Sequence, residues 1–169
     1  ALLAGCNQQK RARLQQLQDA AELAAAAQDL PTAISAATMA LALDTARLDL
    51  RDSLSAWHSQ RGQHRPCLYY STYLLKRSPY PALALRAARA ARALALRDSA
   101  RALYKRTLTM NPDTLPALYE LGVLHYQAGA QRLAQQRMQQ VLQHPQGGQA
   151  TLRVQDQQPP ILVPYRAAA

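Results

Sequence analysis

The sequence is 169 residues long, which is enough for one domain of ordinary size. Alanine, leucine, arginine and glutamine dominate it, and phenylalanine is absent, so the composition favours helix and disfavours strand. The formal net charge of +10 suits an acidic protein or an anionic surface as partner, or reflects a solvated arginine-rich surface. Because no nucleic-acid motif accompanies the basic residues, we expect no nucleic-acid partner.

The first residues contain the stretch Leu3-Ala4-Gly5-Cys6, followed at once by polar residues. This stretch resembles a bacterial lipobox, in which small residues precede the cut and the cysteine thiol takes diacylglycerol. The resemblance implies a covalent lipid on Cys6 and no other cofactor. Because Asn7 is not aspartate, it also implies the periplasmic face of the outer membrane. The alternative is an ordinary helix start with a buried cysteine.

Apolar residues at helical spacing, separated by proline, glycine and capping residues, predict eight helices. They cover about residues 11–28, 33–43, 46–60, 66–76, 82–96, 99–110, 115–128 and 130–143. Thr32 is the predicted cap of the second helix, and Pro66 opens the fourth. We therefore divide the chain into a tether (1–12), a helical domain (13–145) and an extended tail rich in glutamine and proline (146–169).

Similar residues recur every 34 positions along the helical domain. The three series are Leu50, Ala84 and Leu118; Tyr70, Tyr104 and Met138; and Leu74, Leu108 and Leu142. Together with Leu121-Gly122 and Pro112, this period resembles the tetratricopeptide repeat, a helix pair of 34 residues. The resemblance covers three repeats over about 47–145 and a weaker fourth over 13–46, although Ala84 and Leu118 replace the family's early aromatic residue.

The resemblance implies an all-α fold, an α-solenoid of antiparallel helix hairpins followed by an irregular C-terminal tail. It also implies that Tyr104, at the family's large-ring position, is buried between its own helix pair and the next.

We find no catalytic set of residues, and we expect the protein not to be an enzyme. His64 and Cys67 form an H-x-x-C pair, but a closed zinc site needs four ligands, so we expect no metal. Cys67 also lacks a nearby asparagine or aspartate that could orient a base for it. A disulfide between Cys6 and Cys67 remains open, because two cysteines make no framework.

The activity that remains is binding, since the first helix of each pair lines the concave side of a tetratricopeptide array. The family's groove positions fall on Arg51, Ser55, His58, Leu85, Arg89, Arg92, Tyr119, Val123 and Tyr126. Arginine supplies forked donors and tyrosine supplies rigid contact area with a hydroxyl. Such a groove would suit an extended peptide of some acidic character; the alternative is that these residues are merely solvated.

A lipid-anchored stack of helix pairs resembles the pilot and assembly lipoproteins of type IV and tight-adherence pili and of secretion systems. The resemblance implies that the chain binds and stabilises an outer-membrane secretin or another pilus or secretion-system protein, in many copies around a ring. The competing hypotheses are a periplasmic scaffold that recruits cell-wall or envelope enzymes, and, if the lipobox is accidental, a soluble basic adaptor, for example for RNA. Binding could lie in the groove or in the tail, which needs a docking partner to be ordered.

Overall fold

The computed structural model describes residues 2–145, with residues 2–6 described by their backbone alone. The predicted all-α fold of antiparallel helix hairpins is confirmed, because these residues form eight helices and no strand. The helices are α1 (Leu2–Ala26), α2 (Leu30–Leu43), α3 (Leu48–Gln60), α4 (His64–Leu75), α5 (Pro81–Ala93), α6 (Arg97–Met110), α7 (Leu115–Gln127) and α8 (Gln131–Gln143).

Helix α1 begins nine residues earlier than predicted, at Leu2 rather than at residue 11. Residues 7–13 are exposed, and most of them are straight-chain residues with good intrinsic helix propensity. Because residues 7–13 are almost all polar, they carry no apolar stripe, so the apolar pattern placed the start of the helix after them. The predicted boundary at residue 12 coincides with no break in α1.

The same left-handed turn closes the first helix of all four hairpins. Its residues are Gln28, Gly62, Ala95 and Gly129, with φ of 61°, 66°, 58° and 74°. In the last hairpin, Ala130 N–H donates to the His125 carbonyl at 2.9 Å and Gly129 N–H donates to the Tyr126 carbonyl at 2.9 Å, the Schellman arrangement. Because Gln28 adopts it too, residues 13–46 behave as a fourth repeat although their sequence matches weakly.

The cap of α2 differs from the prediction, which was wrong in choosing Thr32. Asp29 is the N-cap residue, and its carboxylate accepts a hydrogen bond from Thr32 N–H at 3.3 Å. Hydrogen bonds from Thr32 lower the pKa of the exposed Asp29 carboxyl. Pro31 stands in the first turn, where its missing N–H costs nothing, so the helix starts three residues before the predicted start at residue 33.

The chain divides into two compact units, a first unit of Ala1–Pro79 and a second unit of Tyr80–Ala169. In the first unit, α1 to α3 bury a core of alanine and leucine, and Trp57 of α3 and Tyr70 of α4 pack against it. Ser55 and Ser71 are fully buried and their hydroxyls share a hydrogen bond of 2.6 Å between α3 and α4. Cys67 is a buried free cysteine.

In the second unit, α5 and α6 pack as one hairpin and α7 and α8 as the next, and small residues allow the helices a close approach. Six residues of α5 are buried, five of them alanines. An added Cβ at Gly122 would lie 2.6 Å from Met138 Cε, so glycine admits the methionine side chain here. Tyr104 is 0% exposed and is the largest fully buried side chain of the described residues; its burial was predicted from its position in the repeat.

Candidate binding site

A pocket of about 330 Å³ opens in the second unit between two helices of one hairpin. Arg89, Arg92 and Ala93 of α5 line it together with Tyr104 of α6. Arg89 and Arg92 stand three residues apart, so they lie on one face of α5. Arg89 is exposed and Arg92 is half-buried, so the pocket has a cationic wall that solvent reaches.

Arg92 is tied to the next hairpin by an ion pair with Glu120 of α7. Its Nη1 lies 2.5 Å from Glu120 Oε1, while Glu120 Oε2 is buried without a hydrogen-bond partner among the described residues. Burial raises the pKa of Glu120, although the nearby Arg92 and Arg89 act in the opposite direction. The pair therefore holds Arg92 in place but leaves one carboxylate oxygen unsatisfied.

The hydroxyl of Tyr104 is a second unsatisfied group in this cluster. Arg92 approaches the hydroxyl closely enough to lower the pKa of Tyr104 as a hydrogen-bond donor, but the contact falls outside ordinary hydrogen-bond geometry, and within residues 2–145 the hydroxyl has no acceptor for its own proton. Burial is the largest cause of the raised pKa of Tyr104, and Glu120 adds to it, so the phenol stays protonated and can donate. A buried polar group without a partner is unusual and costs stability.

The pocket therefore offers donors rather than acceptors. Two guanidinium groups and one phenol face a single carboxylate that is already bonded to Arg92, so the cluster carries one net positive charge. Arg89 forms no ion pair in the described part of the chain. A cluster of donors with a net positive charge favours a ligand that supplies an oxygen acceptor. A negatively charged oxygen is favoured most strongly, because charge-assisted hydrogen bonds are stronger than neutral ones.

The other predicted groove residues of the second unit differ in how far they reach the surface. Tyr126 is 37% exposed, and Leu85 and Tyr119 are half-buried, so these three can contribute contact area. Val123 is only 2% exposed; it packs inside the second unit and does not present its side chain to a partner.

The predicted groove residues of the first unit are engaged within that unit. Arg51 is 8% exposed; its Nη2 donates to the Thr45 carbonyl at 2.9 Å and its guanidinium lies 4.0 Å from the centre of the Tyr73 ring. His58 Nδ1 lies 2.6 Å from Gln63 Oε1, and its ring stacks on Tyr70. Ser55, also assigned to the groove, is in the buried serine pair. Arg51 and Ser55 therefore have packing roles.

Several sequence predictions receive no test from the geometry. The Cys6 side chain and the predicted tail (146–169) lie outside the described residues. Among residues 2–145 there is no group of three histidine, cysteine, aspartate or glutamate side chains placed to hold a metal ion. No described helix combines the length and the apolar character needed to cross a bilayer.

We expect acid to destabilise the second unit through His125. This residue is buried on α7, and burial lowers its pKa below 6.5, aided by Lys105 and Arg101 of α6 and Arg137 of α8. The unfolded chain takes up a proton first as pH falls, so stability present above pH 6.5 is lost below it. The melting temperature should therefore fall by a few degrees from pH 7.5 to pH 5.5, measured by circular dichroism.

The variant His125→Leu should lose most of that pH dependence, whereas His64→Leu in the first unit should keep it. Equal pH dependence in the His125→Leu variant and the unmodified protein would contradict the assignment.

Sequence reasoning missed two residues of this cluster. Tyr104 was predicted as a packing residue, but not as the wall of a binding site, and Glu120 was assigned no role. Glu120 follows Arg92 by 28 residues, too far for any local pattern. The available signal was the repeat itself, which brings the first helices of neighbouring pairs side by side.

Comparisons with known proteins agree on the fold. No family model matches the chain, and no curated relative does. A tetratricopeptide repeat protein from Parabacteroides merdae is 21% identical, with a TM-score of 0.69 over 78% of this chain and 53% of its own, so the chain spans about half of that protein. MamA is 15% identical, with a TM-score of 0.69 over 76% of this chain and 70% of its own.

A third similar structure is YrrB, a TPR protein with an unusual peptide-binding site. It is 15% identical, with a TM-score of 0.66 over 74% of this chain and 65% of its own. At these identities the likeness establishes architecture alone, and it agrees with the four helix hairpins and their shared turn: the chain has the tetratricopeptide-repeat fold.

Proposed function

We propose that this protein is a non-enzymatic protein–protein interaction module that binds an extended segment of a partner. The observation that carries the proposal is the pocket of Arg89, Arg92, Ala93 and Tyr104, which combines an open cationic wall with an unsatisfied buried hydroxyl. Tyr126 adds exposed aromatic area in the same unit. YrrB, with the same fold, has a peptide-binding site, which supports a peptide as the kind of ligand.

We further propose that the protein is a lipoprotein, anchored through Cys6 to the periplasmic face of the outer membrane. The support is the Leu3-Ala4-Gly5-Cys6 stretch and the absence of aspartate at Asn7. An anchor of this kind beside a repeat stack suits an assembly factor for a secretin or another pilus or secretion-system protein. In a symmetric ring, a modest contact is repeated at each subunit and gains by multivalency.

Capture from the bacterial envelope tests the choice of partner. The full chain is expressed with an affinity tag, the envelope is solubilised in detergent, and co-purifying proteins are identified by mass spectrometry. A secretin or pilus component enriched over a tag-only control is the expected result. A cell-wall hydrolase as the dominant partner, with no secretin or pilus component, would replace this proposal with the scaffold hypothesis.

The lipid anchor predicts a change of compartment in the variant Cys6→Ser. Lipid chains contribute about 0.8 kcal/mol per buried methylene, so their loss should move the protein from outer-membrane to soluble periplasmic fractions. The fold should be unaffected, which circular dichroism of the purified variant checks. Cys67→Ser is the matched control and should leave the fractionation as it was. If Cys6→Ser also leaves it unchanged, the lipoprotein hypothesis is wrong.

A further inference from the structure

We propose that the pocket of Arg89, Arg92, Ala93 and Tyr104 binds a single carboxylate of the partner, with the Tyr104 hydroxyl as its buried donor and Glu120 as the residue that limits the site to one negative charge. This inference deepens the proposed function and rests on it. Tyr104 and Glu120 are the parts that the repeat family's groove positions do not supply. The carboxylate could belong to an aspartate or glutamate side chain or to a free C-terminus.

The pocket holds two hydrogen-bond donors that have no acceptor among the described residues of the free protein. Arg89 is exposed and forms no ion pair in the described part of the chain, and the Tyr104 hydroxyl has no acceptor there for its proton. Arg89 and Tyr104 line one pocket, so an oxygen acceptor placed there can take a hydrogen bond from Arg89 and approach the buried Tyr104 hydroxyl. Because Arg89 is a long, exposed side chain, it can move to admit a ligand that reaches the covered hydroxyl.

The net charge of Arg89, Arg92 and Glu120 determines which ligand charge the pocket favours. Arg89 and Arg92 supply two positive charges, and Glu120 cancels one of them at 2.5 Å from Arg92 Nη1. A carboxylate neutralises the charge that remains. A phosphate dianion would leave excess negative charge beside the unsatisfied Glu120 oxygen, and like charges repel. Glu120 thus holds Arg92 in place and disfavours ligands of higher charge.

The unsatisfied Tyr104 hydroxyl also affects the stability of the protein without a ligand. An unsatisfied buried hydroxyl lowers stability, whereas an apolar group of the same shape does not. Tyr104→Phe keeps the ring that fills the core and removes the hydroxyl alone. If the hydroxyl serves a ligand, this variant should fold at least as stably as the unmodified protein and yet bind carboxylates more weakly.

The experiment titrates the isotope-labelled full chain with three peptides and follows the amide signals of Ala93 and Tyr104 by NMR. The peptides are Ac-Ala-Ala-Glu-Ala-Ala-amide, its glutamine analogue, and Ac-Ala-Ala-Ala-Ala-Ala with a free C-terminus. Inorganic phosphate is a fourth probe. Arg132→Gln is the matched control, since Arg132 is an exposed arginine of α8 that lines none of the described pockets.

We expect the glutamate peptide, the free C-terminus, or both to bind at least about tenfold more tightly than the glutamine peptide and phosphate. Which of the two binds identifies the source of the carboxylate. Tyr104→Phe should weaken that binding about tenfold without lowering the melting temperature, Glu120→Gln should tighten it severalfold, and Arg132→Gln should change neither.

Any other pattern overturns the proposal, including equal binding of the glutamate and glutamine peptides, or a loss in Tyr104→Phe that the neutral peptide shares. The outcome is independent of the envelope capture. Carboxylate binding without a secretin would leave this site in place and remove the proposed partner, whereas a captured secretin without carboxylate binding would do the reverse.

Discussion

Replacing Tyr104 with alanine is expected to lower the free energy of unfolding of the second unit by about 3–5 kcal/mol. The ring is 0% exposed, and it sits in a unit whose core is otherwise mostly alanine and leucine, so few neighbours are large enough to fill the cavity. Relief of the unsatisfied hydroxyl would offset about 1 kcal/mol of the loss. Urea denaturation followed by circular dichroism measures the change.

A tyrosine at the surface provides the comparison for this measurement. Tyr69 is 62% exposed on α4, and Tyr69→Ala should cost no more than about 1 kcal/mol, mainly through its edge contact with Tyr70. A near-neutral result for Tyr104→Ala would mean that the repeat register is wrong, because the register is what places this residue inside.

The double variant Arg89→Glu with Tyr126→Ala is expected to abolish capture of the partner. The first change reverses the free charge of the pocket wall, and the second removes an exposed ring of the same unit. Central arginine and tyrosine residues each contribute about 2 kcal/mol or more at many interfaces, so binding should weaken roughly 100-fold or more. Envelope capture measures this, and circular dichroism confirms that helicity is retained.

The structure argues against including Arg92 in that variant, although its sequence position alone would assign it the same role as Arg89. Arg92→Glu would place a second carboxylate against the half-satisfied Glu120. Because this pair is part-buried, placing two carboxylates together there would destabilise the second unit, so a loss of capture could then reflect unfolding. Arg132→Gln with Tyr69→Ala is a suitable control variant.

The competing location for binding is the tail. If the tail carries the contact, deletion of residues 149–169 should abolish capture, and Arg89→Glu with Tyr126→Ala should leave it intact. Retained capture in both variants would contradict both locations.

Most of the fold could be predicted from the sequence because it follows from local chemistry. Helices begin or end near residues such as Pro31, Pro81 and Gly129. The restricted backbone of proline and the conformational freedom of glycine act within a few residues, so these boundaries can be predicted locally. The period of 34 placed Leu50, Ala84 and Leu118 on the first helices of successive pairs, and all three are buried. The early start of α1 was not predicted because residues 7–13 are almost all polar and exposed, so they show no apolar stripe.

The binding site could be predicted only in part. The groove positions of the tetratricopeptide repeat assigned nine residues to the groove. Burial in the folded chain decides which of them a partner can reach. From the sequence alone, an arginine such as Arg51 is expected at the surface. In the structure, the Tyr73 ring and the Thr45 carbonyl hold its guanidinium inside the first unit. Val123 likewise faces the core of the second unit. Arg89 and Tyr126 kept their predicted exposure.

The sequence by itself determined that this chain forms helix pairs, because helix propensity, proline placement and a repeated apolar pattern act over short distances. Only the tertiary structure joined Arg92 to Glu120 and set Tyr104 beside them, since these groups lie on three helices and meet only when the hairpins of the second unit pack. Whether a buried oxygen finds a partner depends on that packing, and the two that do not are what distinguish this pocket from an ordinary charged surface.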